Sequence, residues 1–229
     1  MLIKGLQKTT LLDYPSKVAS TIFTGGCNFR CPFCHNASLV THIDPAQYIP
    51  EDEIFSYLSK RKGILDGVCI TGGEPLLQPD IIRFCEKLRE LGLLIKLDTN
   101  GSRPELLKQL ADKGLIDYIA MDIKNSKALY AKTCGLSDFP AEVEESVSMI
   151  MELDIPYEFR TTVVKELHTE ESIEELCRWI KDAKRYYLQS FKDSGDLIAD
   201  GYSSYTENEM RQLLSIAKRY IPSAELRGI

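Results

Sequence analysis

GVCITGGEPLLQPDIIRFCEKLRELGLLIKLDTNG, residues 67–101, holds one complete strand–helix–strand unit. Gly67–Thr71 is a short apolar run of the kind that forms a buried strand. Pro79–Leu91 has helical spacing: Pro79 suits the first turn, and Ile81, Phe84, Cys85 and Leu88 fall at i, i+3, i+4 and i+7. Leu93–Asp98 is a second strand. Each strand runs out into a polar cluster, TGGEP after the first and DTNG after the second.

The same alternation extends in both directions. Strands are expected at Lys17–Thr24, Tyr118–Asp122, Pro156–Lys165 and Tyr186–Phe191. Helices are expected at Glu51–Arg61, Pro104–Lys113, Ala141–Leu153, Glu170–Ala183 (capped by Thr169) and Thr206–Tyr220. The last opens on Thr206 and Glu209, a capping-box pair. Six such units of about thirty residues each fit a 229-residue chain and predict parallel strands flanked by helices. A partial (β/α) barrel and an open doubly wound sheet both satisfy the pattern. No linker or low-complexity tract divides the chain, so residues 1–229 are expected to form a single domain.

In either architecture the carboxyl ends of the strands form the active face. TGGEP, DTNG and the DIK that closes Tyr118–Asp122 would meet there. So would the loop after the first strand, CNFRCPFCHN at residues 27–36, with Cys27, Cys31 and Cys34 in eight positions.

Composition narrows the function classes. A formal charge of −6 disfavours nucleic acid or an anionic membrane as partner. No apolar run approaches the roughly 18 residues of a membrane span. The start MLIKGLQKTTLLDYP lacks the apolar core and cleavage site of a secretory signal. Seven cysteines in a chain of this size read as reduced thiols, hence a cytoplasmic protein. Cys69, Cys85 and Cys177 fall on apolar faces and read as core; Cys134 has no reading, and His168 and Trp179 read as a loop histidine and a packed helix aromatic.

Three thiols on one loop suit a soft metal. Zinc is one reading, with His35 or His42 as fourth ligand. A four-iron cluster with one iron left open is another. In TGGEP the paired glycines allow close approach to backbone, and Glu74 offers a carboxylate; without a following Gly-Lys-Ser/Thr this is no phosphate loop.

Taken together, GCNFRCPFCHN and TGGEPLLQ resemble the radical S-adenosylmethionine superfamily. With LDTNG, MDIK and the DYP before the first strand, the chain resembles glycyl-radical-enzyme activating proteins over roughly residues 1–190, most of all those serving anaerobic ribonucleoside-triphosphate reductase. The resemblance implies a partial (β/α)6 TIM-like barrel. It implies a [4Fe-4S] cluster on Cys27, Cys31 and Cys34, whose open iron takes the amino and carboxylate groups of S-adenosylmethionine. It further implies reductive cleavage of that cofactor and hydrogen abstraction from a glycine of a partner enzyme, with an electron donor such as flavodoxin or ferredoxin.

By position, Phe33 would lie against the adenine, and Gly72, Gly73 and Glu74 would receive the methionine ammonium. Asp98 and Asn100 would make polar contacts to the cofactor. Lys124 would pair with its carboxylate, and Asp98, Thr99 and Asp122 would hold a monovalent cation. Arg160, alone in the apolar run EFRTTVV, needs an anionic partner if buried: a cofactor carboxylate, a ribose contact or a structural ion pair. Gln189, near the end of the last expected strand, would reach the adenosyl group. With no cysteine between Cys34 and Cys69, additional clusters are not expected.

Three other functions fit parts of the pattern: activation of a different glycyl radical enzyme of the pyruvate formate-lyase type, radical chemistry on a small molecule as in deazaguanine-type synthases, and a non-catalytic iron–sulfur or zinc sensor. The sensor accounts for the cysteines but not for GGE, DTNG and DIK at strand ends.

Overall fold

The computed structural model describes residues 1–41, 44 and 47–229. Its core is one eight-stranded sheet in the order β1-β2-β3-β4-β5-β6-β7-β8. The strands are β1 Ile3–Thr10, β2 Ala19–Thr24, β3 Gly67–Gly72, β4 Leu94–Thr99, β5 Tyr118–Asp122, β6 Tyr157–Val163, β7 Tyr186–Ser190 and β8 Glu225–Arg227. β1 is antiparallel to β2, and every other pairing is parallel.

A doubly wound sheet reverses its strand order at a switch point. Here the order is sequential throughout, so right-handed crossovers carry every helix to the same side. The sheet curls, and β1 and β8 do not pair, which leaves an open barrel. The expected six parallel strands are all present as β2–β7. The edge strands β1 and β8 are additions. β1 is interrupted by two register irregularities and β8 has three residues, both usual ways of blunting a sheet edge.

The helices are α1 Ala37–Thr41, α2 Glu51–Ser59, α3 Ile81–Glu90, α4 Pro104–Asp112, α5 Lys127–Cys134, α6 Ala141–Glu152, α7 Glu170–Trp179 and α8 Glu207–Lys218, with a 3-10 turn at Pro75–Leu77. α1 and α5 were not expected. α8 starts on the Thr206–Glu209 capping box, and Thr169 caps α7 through a reciprocal pair with Ser172.

Alternation along each strand sorts residues between two faces. Val68, Ile70, Ile95, Leu97, Ile119, Met121, Phe159 and Leu188 pack fully buried beneath the helices. Cys85 and Cys177 are buried in the apolar core as expected. Cys69 is buried too, but on the opposite face against Asp98 and Lys96, and Trp179 packs edge-on against Tyr130 and Phe139.

The concave face is polar. Lys96, Asp98, Asp122, Glu158 and Arg160 stand where closed barrels carry layers of branched apolar side chains. Near the amino-terminal ends of the strands, Tyr14 of the DYP segment packs on Tyr118, ring centroids 6.0 Å apart. Asp13 of the same segment accepts from Thr21 Oγ1 at 2.5 Å.

Glu158 anchors the edge strand. Its two carboxylate oxygens accept from Arg227 Nη1 and Nη2 at 2.7 and 2.8 Å, and Tyr118 Oη donates to it at 3.0 Å. Burial works against the charge, but Arg227's hydrogen bonds and positive charge hold Glu158 below the usual carboxylate range. A carboxylate depressed on folding stabilises above its unfolded pKa, and that stabilisation is lost as pH falls through the folded value. Arg227→Ala should therefore lower the urea midpoint at pH 7. The gap from wild type should begin to close as pH falls below about 4 and be lost only as pH passes the depressed folded value of wild-type Glu158. A gap independent of pH would assign Arg227 a packing role only.

Candidate functional site

A cavity of about 230 Å³ lies at the carboxyl ends of the strands. The cysteine loop forms one wall with Cys27, Cys31, Phe33 and Cys34. Gly72, Gly73, Asp98, Thr99, Asn100, Asp122, Lys124, Arg160 and Gln189 line the rest. Strands β2 to β7 thus deliver every expected site residue to one place, with one exception.

The exception is Glu74, which is fully buried and does not line the cavity. Its carboxylate accepts from Thr99 Oγ1 at 2.8 Å, Leu76 N at 3.0 Å and Asn100 N at 2.7 Å. All the hydrogen bonds of its carboxylate are thus made within the chain. Glu74 fastens the turn after β3 to the turn after β4, and burial outweighs its three donors to push its pKa up to about 7.

The paired glycines also differ from expectation, because what approaches them is the chain's own backbone. A Cβ on Gly72, whose φ is +114°, would lie 2.4 Å from Thr24 N, and one on Gly73 would lie 2.0 Å from Gly26 O. Gly73 N and Glu74 N donate to Thr24 O and Gly26 O at 2.9 and 2.8 Å. The TGG turn therefore presses onto the start of the cysteine loop.

That loop is held on three further sides. Asn100 Nδ2 donates to Asn28 Oδ1 at 3.0 Å and lies 3.8 Å from Cys27 Sγ. Arg30 N donates to Cys134 O at 2.8 Å, and the neighbouring Cys134 thiol holds Cys31 below the ordinary thiol range against the effect of burial. The residue without a sequence reading, Cys134, is thus a neighbour of the cysteine loop. Phe29 meets Tyr130 edge-on at 6.4 Å, extending an aromatic chain through Phe139 and Trp179.

The third side is the segment after β7. Ala199 N donates to Pro32 O at 2.9 Å, Ser194 Oγ to His35 O at 3.3 Å, and Ser38 N and Oγ to Asp196 Oδ2 at 3.2 and 2.8 Å. Tyr202 packs on Phe33 with centroids 6.5 Å apart.

Burial pushes the Cys27 thiol up to about 11 and raises Cys34 as well. As thiolates they need a cationic partner, which a metal centre supplies. His35 lines the cavity beside the cysteines, while His42 lies outside the described residues. Among the described residues no three His, Cys, Asp or Glu side chains are placed to hold one metal ion. Three thiolates on one loop can each take a separate iron of a four-iron cluster, so the donor set fits that group.

Opposite the cysteines lies a chain of charges. Arg160 Nη1 donates to Asp98 Oδ2 at 3.1 Å and Arg160 Nε to Asp122 Oδ1 at 3.0 Å. Lys124 Nζ donates to Asp122 Oδ2 at 3.0 Å, and Lys96 Nζ bonds Asp98 Oδ1. Of the partners open to Arg160, the structure pairs it with two carboxylates of the protein. Burial disfavours these charges, but their neighbours hold Asp98 below and Asp122 well below the usual carboxylate range and raise Lys124 and Arg160.

Two residues were missed by sequence reasoning. Lys96 lies two positions before Asp98, and strand periodicity places both on the concave face. His168, taken for a loop histidine, is fully buried; its Nε2 contacts Lys124 O at 2.8 Å, and its Nδ1 accepts from Val164 N at 3.0 Å.

Comparison with known proteins agrees with this arrangement. The sequence pattern described as the Radical SAM superfamily matches residues 21–180. A candidate glycyl-radical enzyme activating enzyme of Methanocaldococcus jannaschii is 34% identical over 100% of this chain and 96% of its own length. The pyruvate formate-lyase-activating enzyme of Clostridium pasteurianum is 30% identical over 62% of this chain and 63% of its own. In fold, Streptococcus suis SuiB bound to precursor peptide SuiA superposes with a TM-score of 0.72 at 18% identity, covering 91% of this chain and 48% of that one.

Glu74 gives a test with a sign. Its folded pKa is raised, so the native state holds a proton that the unfolded chain releases, and stability falls as pH rises from about 4.5 through about 7. Glu74→Gln should flatten that fall in thermal melts across pH 4–8, while Gly73→Ala should lower the midpoint at every pH. An unchanged pH slope in the glutamine variant would place the titration elsewhere.

Proposed function

The chain belongs to the radical S-adenosylmethionine superfamily, and from that premise we propose that it installs a glycyl radical on a partner enzyme, anaerobic ribonucleoside-triphosphate reductase foremost. The observation that carries the reading is the pairing of an open three-thiol loop with a charged, strand-end cavity. The similarity to the M. jannaschii protein runs end to end, beyond the domain shared by the whole superfamily.

When bound, the [4Fe-4S] cluster and S-adenosylmethionine supply a 5′-deoxyadenosyl radical, chemistry that no side chain provides. Cys27, Cys31 and Cys34 would hold the cluster, and the absence of a fourth cysteine on the loop leaves one corner for the cofactor. Phe33, set by Tyr202, would lie against the adenine. The backbone of Gly72 and Gly73 lines the cavity and would receive the methionine ammonium, with Glu74 positioning that turn. Lys124 would meet the methionine carboxylate. Asn100, which lines the cavity beside Cys27, would add a polar contact to the cofactor, and Gln189 would face the adenosyl group.

The side left open between β1 and β8 suits a substrate that arrives as part of a polypeptide. A glycine meets the need, since its backbone enters a narrow site and flanking amides delocalise an α-carbon radical. A small carrier such as flavodoxin or ferredoxin would deliver the electron.

Cys31→Ser should retain the wild-type circular dichroism spectrum, lose most bound iron and sulfide after anaerobic reconstitution, and form no 5′-deoxyadenosine with dithionite. With wild type, a partner ending in a glycyl-radical motif should acquire a glycine-centred doublet in electron paramagnetic resonance. Turnover of a free metabolite with no doublet on any such partner would favour the small-molecule reading. Full cleavage by the serine variant would remove the cluster assignment.

A further inference from the structure

A monovalent cation was expected between Asp98, Thr99 and Asp122, and their oxygens do not accommodate one. Asp98 Oδ1 bonds Lys96 Nζ and lies 3.6 Å from Cys69 Sγ. Asp98 Oδ2 accepts from Arg160 Nη1 at 3.1 Å and Thr71 Oγ1 at 3.3 Å. Asp122 Oδ1 and Oδ2 accept from Arg160 Nε and Lys124 Nζ, each at 3.0 Å. Thr99 Oγ1 donates to Glu74 Oε1 at 2.8 Å and accepts from Gly101 N at 3.1 Å. A bare alkali ion needs several oxygens turned towards it, and here each is already turned towards a nitrogen, sulfur or oxygen of the protein.

Charge points the same way. Two carboxylates stand against three cations, Lys96, Lys124 and Arg160, which leaves one positive charge beside the cavity. A sodium or potassium ion would raise it to two in a partly buried site, where repulsion is weakly screened. A ligand bringing one carboxylate would instead bring the group to neutrality.

Lys96 is suited to the position. Its side chain is 2% exposed and projects from β4 on the same face as Asp98. Cys69 Sγ lies 3.8 Å from its nitrogen, and the Tyr118 ring lies beneath it at 6.0 Å from the centroid. A lysine so enclosed holds its charge only beside a fixed anion. Asp98, gripped from its other side by Arg160, is that anion.

We propose that the Lys96 ammonium is a built-in counter-ion for Asp98, standing where an exchangeable alkali cation would otherwise sit, so that this site binds no external monovalent ion. Lys96 is on this reading a positioning residue: it fixes Asp98, which fixes Arg160 and through it Asp122 and Lys124. The nucleotide arm of the test rests on the function proposed above; the ion arm does not.

The test compares choline, sodium and potassium chloride at equal ionic strength. In the ion arm, the thermal midpoint of nucleotide-free wild type should be the same in all three salts. Lys96→Ala should start lower in choline and recover saturably with sodium or potassium. Lys96→Arg should behave as wild type, and Lys96→Met stands in if the alanine variant does not fold. In the nucleotide arm, anaerobic calorimetry on cluster-loaded protein should show wild-type affinity for S-adenosylmethionine constant within twofold across salts. Lys96→Met should bind at least tenfold more weakly in choline. A saturable rise in the wild-type midpoint with sodium or potassium would overturn the proposal. So would a Lys96→Met protein that binds as tightly as wild type in choline. Wild type that binds no nucleotide in any salt would instead refute the cofactor reading, leaving the ion arm to decide this one.

Discussion

The Arg160 guanidinium, shared between Asp98 and Asp122, is the interaction on which the site depends. It joins the ends of β4, β5 and β6 in one ionic group, and Lys96 and Lys124 close the group at either end. An apolar layer would fill the same space without desolvating any charge, and replacing buried ion pairs by packed hydrophobic residues is often neutral or stabilising. The charges instead leave the floor of the cavity polar, fixed in direction and one unit positive. Breaking any single pair would strand a charge in a half-buried setting, so the members stand or fall together.

The architecture was legible because the strands are short, apolar and evenly spaced. All six expected strands occur within two residues of their expected bounds, since burial beneath helices leaves a strong signature in Gly67–Gly72 or Tyr118–Asp122. The edge strands carried no such mark. Ile3–Thr10 mixes lysine, glutamine and glycine because half of it faces solvent, and Glu225–Arg227 is too short for any periodicity to register. α5 escaped notice because its apolar residues do not segregate to one face; its packing against the cysteine loop is set by the fold.

The cavity was legible as a set of residues but not as a set of contacts. Motifs at strand ends named nearly all of its lining. They could not tell which groups would spend their hydrogen bonds on the protein. Glu74 faces three donors of its own chain, and the glycines beside it are demanded by Thr24 and Gly26 as much as by any ligand. Lys96 was available to the same reasoning, since i and i+2 on a strand share a face, but a lone lysine between Ile95 and Leu97 reads as an outlier until its neighbour Asp98 is known to point inward. Cys134 and His168 could not have been found so; their partners are more than 40 residues away, or lie across a turn, and no periodicity links them.

The segment from Ser194 to Tyr202 carries a consequence of its own. Its anchors are Pro32 and His35 of the cysteine loop and Ser38 of α1, reached from Ser194, Asp196 and Ala199 at the far end of the chain. Slack in that loop is therefore transmitted to the stretch leading into α8. Two stretches from opposite ends of the sequence thus order as one unit.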